Sequence, residues 1–545
     1  MMKNLRTLRT LGIFSLLIVS TFSIGTSMTS LKKEVPSPGD IIDISFSNRY
    51  PTMGEPVDIF IIVQGNPKSH RFLETITLTD DFTGFAVTSL GVEWTSGQAR
   101  IAQLNVTIGR AATYIKMIKW YPSVVGNHTF HCTADNFTEK IRNVSVGFDV
   151  QTIIFPSLGC PRIISKNTTN ELPLLISEER NVSEEPSQIL QVELITIDGI
   201  ARYRIENQTM RWQTWIKTGT STLEDELVFW YNIENIPVGF YNISVTTTKR
   251  NYNWPHAVKI IGNEPVEYTV VQLTDIHIRK YANVVNEKKE LTRVIAYINE
   301  NIHPDFVIVS GDSVDWSNEK NQWRAYQDFK ETFLLCNSPV FITPGNHERY
   351  DNSLLFLYSP FDNLTAYHRF LTPLSDYSFE YGGVNFVFLD SGYDDSRWEI
   401  QPQIWNTTPE GTGLTTTQRY LLENAWGSHH LNQIIVMHHP AVNDRNDTSL
   451  GAVPNDLPSG NDECIAFNRG EFINYCFAHN VSLVLSGHTH ENHVFTSLGK
   501  ETSNFSSWPL FVQTDSATLS GQNNGGRVVH IKNGAVVSYE YIPFH

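Results

Sequence analysis

Residues 266–277 read VEYTVVQLTDIH, and they join a strand pattern to two side chains that can bind a metal ion. The run Val266–Leu273 is apolar and rich in β-branched residues, which is typical of a strand buried in a sheet. Asp275 and His277 follow this run directly. Because ligands of open α/β sheets bind just beyond the carboxyl ends of strands, the stretch predicts a site at a sheet edge.

The chain downstream of this stretch alternates between helix and strand patterns. Residues Glu287–Asn301 are helical in pattern, with Leu291, Val294, Ile295 and Ile298 on one face. Short strands are predicted at Phe306–Ser310, Val340–Thr343, Val384–Leu389, Ile434–His438 and Val481–Ser486. This alternation predicts an α/β sandwich for residues 266–545, with mixed β-sheets flanked by helices.

Polar side chains end or follow four of the later strands as well. They are Asp312, Asn346, His347, His438, His488 and His490. With Asp275 and His277, five strand ends would bring carboxylate, imidazole and amide groups to one edge, a set that suits two divalent metal ions. Glycines beside these residues allow the tight turns that such an arrangement needs, namely Gly311, Gly345 and Gly487.

In this order the motifs resemble those of calcineurin-like metallophosphoesterases, the superfamily that includes the purple acid phosphatases. The motifs are Asp275-Ile-His277, Gly311-Asp312, Gly345-Asn346-His347-Glu348, His438 and Gly487-His488-Thr489-His490. The resemblance covers about half of the chain, and each motif adjoins a predicted strand. It implies a hydrolase with a binuclear metal centre.

The resemblance also implies a role for each residue. One metal ion would be held by Asp275, His277 and His490, and the other by Asn346, His438 and His488. Asp312 would bridge the two ions, whose identity among Mn, Fe and Zn the sequence leaves open. His347 would bind no metal and would either protonate the leaving alkoxide or position the phosphate. Two such cations neutralise phosphate oxygens and generate the metal-bound hydroxide that attacks the ester.

Two positions need a choice. The family places its ligand two residues before a proline, so Pro440 selects His438, and His439 becomes either a substrate contact or a structural residue. Asp305 and Asp315 are candidates to support the ligands through hydrogen bonds. Purple acid phosphatases carry a tyrosine ligand at the position of Asp315, and this departure implies a colourless enzyme.

The first half of the chain predicts all-β structure. Residues 37–155 show short alternating strand patterns and predict an immunoglobulin-like β-sandwich with core aromatics Trp94, Trp120 and Tyr121. No second cysteine lies where the inter-sheet disulfide of such domains would need it. Residues 156–262 predict a second β-sandwich, unless both regions form one larger sandwich. Neither region carries a cluster of His, Asp or Cys, so both are interpreted as spacing or presentation modules.

The N-terminus predicts export. Lys3, Arg6 and Arg9 precede the apolar run Leu11–Val19, so residues 1–28 are interpreted as a signal peptide or an uncleaved signal anchor. Thirteen N-x-[ST] sequons, from Asn105 to Asn504, favour a glycosylated protein that is secreted or faces outward from the membrane. In an organism that does not glycosylate asparagine, these sequons would be chance matches.

Charge and cysteine content narrow the partners. The net charge of −16 argues against binding to nucleic acid, which requires a basic surface, and so disfavours an extracellular nuclease. Five cysteines are too few for a disulfide scaffold, although Cys464 and Cys476 are close enough in sequence to pair.

The predicted function is therefore an extracellular metal-dependent hydrolase of a phosphoester substrate, either a monoester or a diester. A cell-surface adhesion or binding protein, with a secondary hydrolase site, is the alternative because two β regions carry no chemistry. Long segments at Asp351–Leu371 and Tyr393–Thr415 hold Tyr358, Tyr367, Trp398 and Trp405, which either stack on a substrate ring or pack as lids.

Overall fold

The computed structural model describes residues 41–544 apart from 177–187, 349–363, 393–412, 444–463 and several gaps of at most seven residues. The predicted signal segment at 1–28 and most of the two long segments near the site lie outside the described residues. None of the helices in the described ranges is long and apolar enough to cross a bilayer.

Residues 41–146 form a sandwich of two antiparallel sheets. Its strands are β1 (Ile41–Phe46), β2 (Val57–Gln64), β3 (Phe72–Thr88), β4 (Gly91–Ile108), β5 (Thr113–Trp120), β6 (Val124–Ala134) and β7 (Lys140–Val146). One sheet has the order β1-β2-β5 and the other β4-β3-β6-β7. Alternate residues of β2 point inward, and Trp120 packs edge-on against Phe130 in the shared core.

A second β region follows and also consists of two sheets. Its strands are β8 (Ile153–Phe155), β9 (Arg162–Ser165), β10 (Glu171–Ile176), β11 (Ile189–Thr196), β12 (Arg202–Ile205), β13 (Asn207–Ile216), β14 (Leu223–Asn232), β15 (Gly239–Thr247) and β16 (Asn251–Ile261). The sheet orders are β13-β14-β10-β8 and β12-β11-β15-β16-β9. Because β8 pairs with β10, this region begins before the boundary predicted at residue 155.

The remaining strands form two mixed sheets. The first, in the order β19-β18-β17-β26-β27, contains β17 (Glu267–Leu273), β18 (Phe306–Ser310), β19 (Val340–Thr343), β26 (Gly525–Lys532) and β27 (Ala535–Pro543). The second, in the order β20-β21-β22-β23-β25-β24, contains β20 (Tyr377–Tyr381), β21 (Val384–Phe388), β22 (Asn432–Val436), β23 (Val481–Ser486), β24 (His493–Thr496) and β25 (Leu510–Gln513). Within each sheet the central strands run parallel.

The helices lie on the outer faces of these two sheets. They are α1 (Glu287–Tyr297), α2 (Glu319–Phe333), α3 (Thr365–Phe370), α4 (Thr416–Leu421) and α5 (Arg469–Ala478), with π-helical turns at Ile298–Ile302 and Leu422–Trp426. Val270 of β17 packs in the core between the sheets with Phe386, whereas its neighbour Val271 packs on the helix side with Leu291. The α/β sandwich preceded by all-β structure is thus confirmed.

Four predicted elements differ at an end, and β17 and β21 differ by one residue only. The helix predicted to reach Asn301 is α-helical only to Tyr297, and its π-helical turn ends at Ile302, before His303, which adopts a left-handed conformation. The strand predicted to close on His438 ends at Val436, so His438 lies in the following loop. The shorter strand places His438 beyond the sheet edge, where it can reach other loops.

The second β region does not form a separate spacer. Its core residues, such as Trp254, belong to the same hydrophobic cluster as Val271 and Phe329 of the α/β part. Gly159 extends the edge of β19, since Ile342 donates to its carbonyl oxygen at 2.8 Å and Gly159 donates to Leu371 at 2.9 Å. The second β region therefore packs on the α/β sandwich through a shared core, while its role as a presentation module stays a prediction.

Truncation tests this difference between the two β regions. A chain that starts at residue 147 loses only a sandwich with its own core, and we expect it to unfold cooperatively near the temperature of the full chain. A chain that starts at residue 263 exposes side chains such as Ile342 and Phe329, each of which stabilises by about 1.5–3 kcal/mol when buried.

Because whole domains are stable by only about 5–15 kcal/mol, we expect the shorter chain to aggregate. Calorimetry and size-exclusion chromatography of both chains measure these outcomes. A soluble, cooperatively folded chain from residue 263 would contradict the shared core.

Candidate metal centre

The seven predicted metal ligands lie together at the carboxyl ends of five parallel strands. Asp275 and His277 follow β17, Asp312 follows β18, and Asn346 follows β19. His438 follows β22, and His488 and His490 follow β23. The site therefore draws on both sheets, and it lies where their edges meet.

One group of side chains surrounds Asp275. The ligand atoms of Asp275, His277 and His490 lie within 4.8 Å of one another. His277 Nε2 is 3.1 Å from His490 Nε2, and Asp275 Oδ1 is 3.1 Å from the same His490 atom. Three ligand atoms so close together, in a buried place, have the separation that binding to one cation requires.

A second group adjoins the first through Asp312. Asp312 Oδ2 lies 3.2 Å from His438 Nε2 and 3.6 Å from His277 Nε2, so one carboxylate oxygen faces both groups. His438 Nε2 is also 2.9 Å from Asn346 Oδ1, and the ring of His488 is 5.2 Å from that of His438. This is the position that a bridging carboxylate would take.

His438 and His439 have different surroundings. The Nδ1 atom of His438 donates to Ser310 O at 2.9 Å, which turns Nε2 toward Asp312 and Asn346. His439 Nδ1 lies 3.0 Å from Ser391 Oγ, and its ring lies 4.4 Å from that of His488. His439 is close enough to His438 and His488 to join a metal site. Of His438 and His439, however, His438 is the one that contacts Asp312.

The charge of the site comes from buried carboxylates. Asp275 and Asp312 are at most 1% exposed, and in the described part of the chain their ion-pair partners are imidazoles, with no lysine or arginine. Oδ1 of Asp275 accepts no hydrogen bond from a described residue. Buried carboxylates require a compensating charge, and divalent cations are the compensation that fits these ligands.

The pKa values show how strongly the carboxylates attract positive charge. Burial raises the pKa of Asp312, but the charges of His438, His347 and His277 together outweigh burial and hold this pKa below its usual range. Burial lowers the pKa of His438, but the charges of Asp312 and Asp275 and the hydrogen bonds of the ring together outweigh burial and raise this pKa to about 9. His488 differs, because burial and the charge of His438 lower its pKa to about 3. A metal ion and the proton on His438 therefore compete for the same ring nitrogen.

The backbone of the site is held in a rarely occupied conformation. Five of the seven predicted ligands have positive φ, namely Asp275 (53°), His277 (51°), Asp312 (51°), His488 (70°) and His490 (54°). Such left-handed residues cost on the order of 1–3 kcal/mol each and cluster at functional sites. The left-handed backbone aims successive side chains of each loop toward the same point.

Two glycines leave room for the ligands. A side chain on Gly487 would overlap Thr274 Oγ1 and Asp275 Oδ2. A side chain on Gly311, which has a φ of 93°, would overlap the ring of His438. These loops therefore pack against ligand side chains with their backbone atoms, which only glycine permits.

Glu348 joins two of the ligand loops, a role that the sequence did not reveal. Its fully buried carboxylate accepts hydrogen bonds from the backbone of Asp312 at 2.9 Å, Ser313 at 2.7 Å and Gly345 at 2.6 Å. The glutamate thus holds the loop after β18 against the loop after β19. The only signal in the sequence was its place in the Gly345–Glu348 motif.

Of the two predicted supporting aspartates, only Asp315 contacts the site. Asp315 Oδ1 lies 3.1 Å from His347 Nδ1 and 3.6 Å from His277 Nδ1, and Oδ2 pairs with Arg279 at 2.8 Å. Asp305 instead accepts hydrogen bonds from Thr269 and Tyr381 at the other end of β18. The prediction for Asp305 was wrong because this residue precedes its strand, which places it on the order of 16 Å from the ligand edge.

A segment near the C-terminus also supports the site. Residues 514–518 follow β25, and Ser516 Oγ donates to Asp275 O at 2.7 Å while Thr518 Oγ1 donates to Ile276 O. Ser391 lies in the loop after β21 and contacts His439. Both segments are polar and directly follow a strand, so the search for polar residues beyond strand ends could have found them.

Other predictions near the site have mixed outcomes. Tyr367 is fully buried in α3 and donates to Ile342 O at 3.0 Å, so it belongs to the core and cannot stack on a substrate. Tyr358, Trp398 and Trp405 lie outside the described residues. All five cysteines are free, so the pairing considered for Cys464 and Cys476 does not form.

Comparisons with known proteins identify the region that contains the site. Residues 268–492 match the family model described as calcineurin-like phosphoesterase. A probable glycerophosphodiester phosphodiesterase from Arcobacter nitrofigilis is 39% identical over 88 residues, which is 15% of this chain and 31% of that protein. The chain thus spans less than a third of the length of this curated relative.

Solved structures resemble the chain more distantly. A purple acid phosphatase from yellow lupin (Lupinus luteus) seeds has a TM-score of 0.39 and 11% identity, and the match covers 92% of this chain and 95% of that chain. The CARDB domain of a Pyrococcus furiosus protein has a TM-score of 0.16 and 13% identity, and covers 22% of this chain and 94% of that chain.

The hydrogen bonds of Glu348 predict the effect of changing it. Glu348→Gln keeps the shape but replaces one accepting oxygen by an amide group that faces backbone donors. We expect a fall in metal affinity of about 10–100-fold, the usual cost of losing a group that supports the ligands. Calorimetric titration with Mn²⁺ measures it.

Glu380→Gln, on the exposed surface of β20, is the matched control and should bind Mn²⁺ like the unchanged protein. Unchanged affinity in Glu348→Gln would mean that the two loops keep their positions without this carboxylate.

Proposed function

We propose that the protein hydrolyses phosphoesters with two divalent metal ions, a function supported by the match of residues 268–492 to the calcineurin-like phosphoesterase model. The observation that carries the proposal is the pair of buried carboxylates, Asp275 and Asp312, whose described ion-pair partners are imidazoles. In our proposal Asp275, His277 and His490 would hold one ion, Asn346, His438 and His488 would hold the other, and Asp312 would contribute to both. Such ions supply positive charge for phosphoryl oxygens and a nucleophile derived from water.

We assign the proton transfer to His347. Its side chain is 22% exposed, and its Nδ1 atom lies 3.1 Å from Asp315 Oδ1. A hydrogen bond from Nδ1 to this carboxylate leaves Nε2 to face the site, where it lies 3.9 Å from Asp312 Oδ2. From this position His347 can donate a proton to the leaving oxygen of a bound ester, and Asp315 stabilises the charged ring.

We propose a phosphodiester as the first substrate class to test. The support is the partial match to a probable glycerophosphodiester phosphodiesterase, which includes less than a third of that protein. A phosphomonoester is the second class to test.

Two substitutions separate metal binding from proton transfer. Asp312→Asn removes the bridging charge, and we expect it to lose metal-dependent turnover together with bound metal. His347→Ala should retain metal and lose about 10²–10⁴-fold in kcat, the usual contribution of a general acid. Hydrolysis of bis(p-nitrophenyl) phosphate and p-nitrophenyl phosphate with Mn, Zn, Fe or chelator measures turnover, and elemental analysis measures metal.

His530→Ala is the matched control, since His530 is partly exposed on β26 and contacts Glu540. It should match the unchanged protein in both assays. Full activity of His347→Ala, or turnover that persists with chelator, would contradict the proposed mechanism.

We further propose that the protein acts outside the cell. In addition to the N-terminal segment, the positions of three sequons support this. Asn105, Asn127 and Asn143 are all exposed, and their strands β4, β6 and β7 belong to the same sheet of the first sandwich. Neighbours such as Val106, His128 and Val144 point into the core, so all three asparagines lie on its outer face, where a glycan can attach.

Expression in a secreting eukaryotic cell tests this location. We expect protein in the medium whose mass falls on treatment with peptide-N-glycosidase F, because the sugars leave these asparagines. Replacing Asn105, Asn127 and Asn143 by Gln one at a time should remove one glycan each, as measured by mass spectrometry. Unmodified protein retained inside the cell would argue against export.

A further inference from the structure

Arg527 is a buried cation that pairs with no carboxylate in the described part of the chain. Its side chain on β26 is 3% exposed, and the ionisable groups beside it are two tyrosines. The guanidinium lies 5.7 Å from the ring centres of both Tyr539 and Tyr541, and its Nε atom has no described hydrogen-bond partner. Burying an unpaired charge is costly, so its retention in a core strand requires a reason.

The hydrogen bonds of Arg527 lead to the end of β25 and to the loop that follows His490. One terminal nitrogen donates to Gln513 O at 3.2 Å and to Asn492 Oδ1. Asn492 is exposed and follows the candidate ligand His490 by two residues. The positive charge of Arg527 is thus connected to the loop that carries His490.

This contact determines which way the amide of Asn492 points. A guanidinium has donors only, so the amide oxygen of Asn492 must face Arg527. The amide nitrogen is then turned away from Arg527, with two N–H donors on an exposed side chain. Arg527 also polarises the amide, which strengthens these donors.

We propose that Asn492, oriented by Arg527, is a substrate-binding residue beside the metal centre that donates to an oxygen of the phosphoester. The inference rests on the proposed hydrolase function and names a subsite of that site. The oxygen acceptor is either a non-bridging phosphoryl oxygen or a hydroxyl group on the alcohol part of the ester. Arg527 lies beyond residue 492, where the match to the family model ends, so the motifs of that family do not include it.

Two substitutions of Asn492 distinguish substrate binding from a structural role. Asn492→Ala removes the donor and the acceptor, whereas Asn492→Asp keeps an oxygen for Arg527 and loses the donor. If Asn492 only holds Arg527 in place, Asn492→Asp matches the unchanged protein. If Asn492 binds substrate, both variants lose about tenfold in kcat/KM, mainly through KM, which is the usual effect of one lost hydrogen bond to a charged group.

Three probes identify the acceptor, all with Mn²⁺-loaded full-length protein. Weaker binding of inorganic phosphate by Asn492→Ala indicates a phosphoryl oxygen. Unchanged phosphate binding, with a tenfold loss for a glycerophosphodiester and none for bis(p-nitrophenyl) phosphate, indicates a hydroxyl group. The deficit of Asn492→Asp should persist at about 0.5 M salt, where repulsion by its added charge is screened.

Asn301→Ala, an exposed asparagine in the π-helical turn after α1, is the control and should leave every constant unchanged. The proposal is overturned if Asn492→Ala leaves all three probes unaffected, or if Asn492→Asp matches the unchanged protein. If the unchanged protein hydrolyses no ester, the proposed function fails. Calorimetric binding of phosphate and of a glycerophosphodiester then tests the subsite: weaker binding of either by Asn492→Ala supports it, and unchanged binding of both overturns it.

Discussion

The structure of the candidate metal centre depends on how the charge of Asp275 and Asp312 is balanced. Both carboxylates are buried, and among described residues only imidazoles pair with them. Burying two carboxylates so close together is unfavourable unless cations join them. The other unusual features of the site follow from this requirement, because the left-handed loops and Gly487 all serve to bring ligand atoms around the two carboxylates.

A site that spans two sheets also requires that the sheets keep a fixed position relative to each other. The apolar core between them is non-directional and cannot by itself set this position. Directional contacts are provided by the buried Gln272 of β17. It donates to Ser486 O at 3.0 Å and accepts from Thr514 Oγ1 at 2.8 Å. These two hydrogen bonds join β17 of the first sheet to β23 and the end of β25 in the second.

The sequence predicted the ligand edge because it depends on local order along the chain. A buried strand followed by a polar residue identifies the carboxyl end, and this rule alone locates Asp275 and Asp312. The same rule, applied to strand direction, would have excluded Asp305, which precedes β18. What the sequence could not predict depends on tertiary contacts. Glu348 accepts from a loop more than thirty residues earlier. Tyr367 packs in the core, although its segment was expected either to stack on a substrate ring or to pack as a lid.

The two β regions also show that local sequence pattern does not predict tertiary packing. Both have alternating strand patterns and no cluster of catalytic residue types, so the sequence predicted the same role for both. Yet the core of the first is its own, whereas Trp254 of the second belongs to the cluster that also holds Val271 and Phe329. Since interiors are close-packed, the second region cannot change its inner face without disturbing β17 and the loop that follows it. Of the two β regions, only the first sandwich can therefore change its core without altering the packing beneath the candidate metal centre.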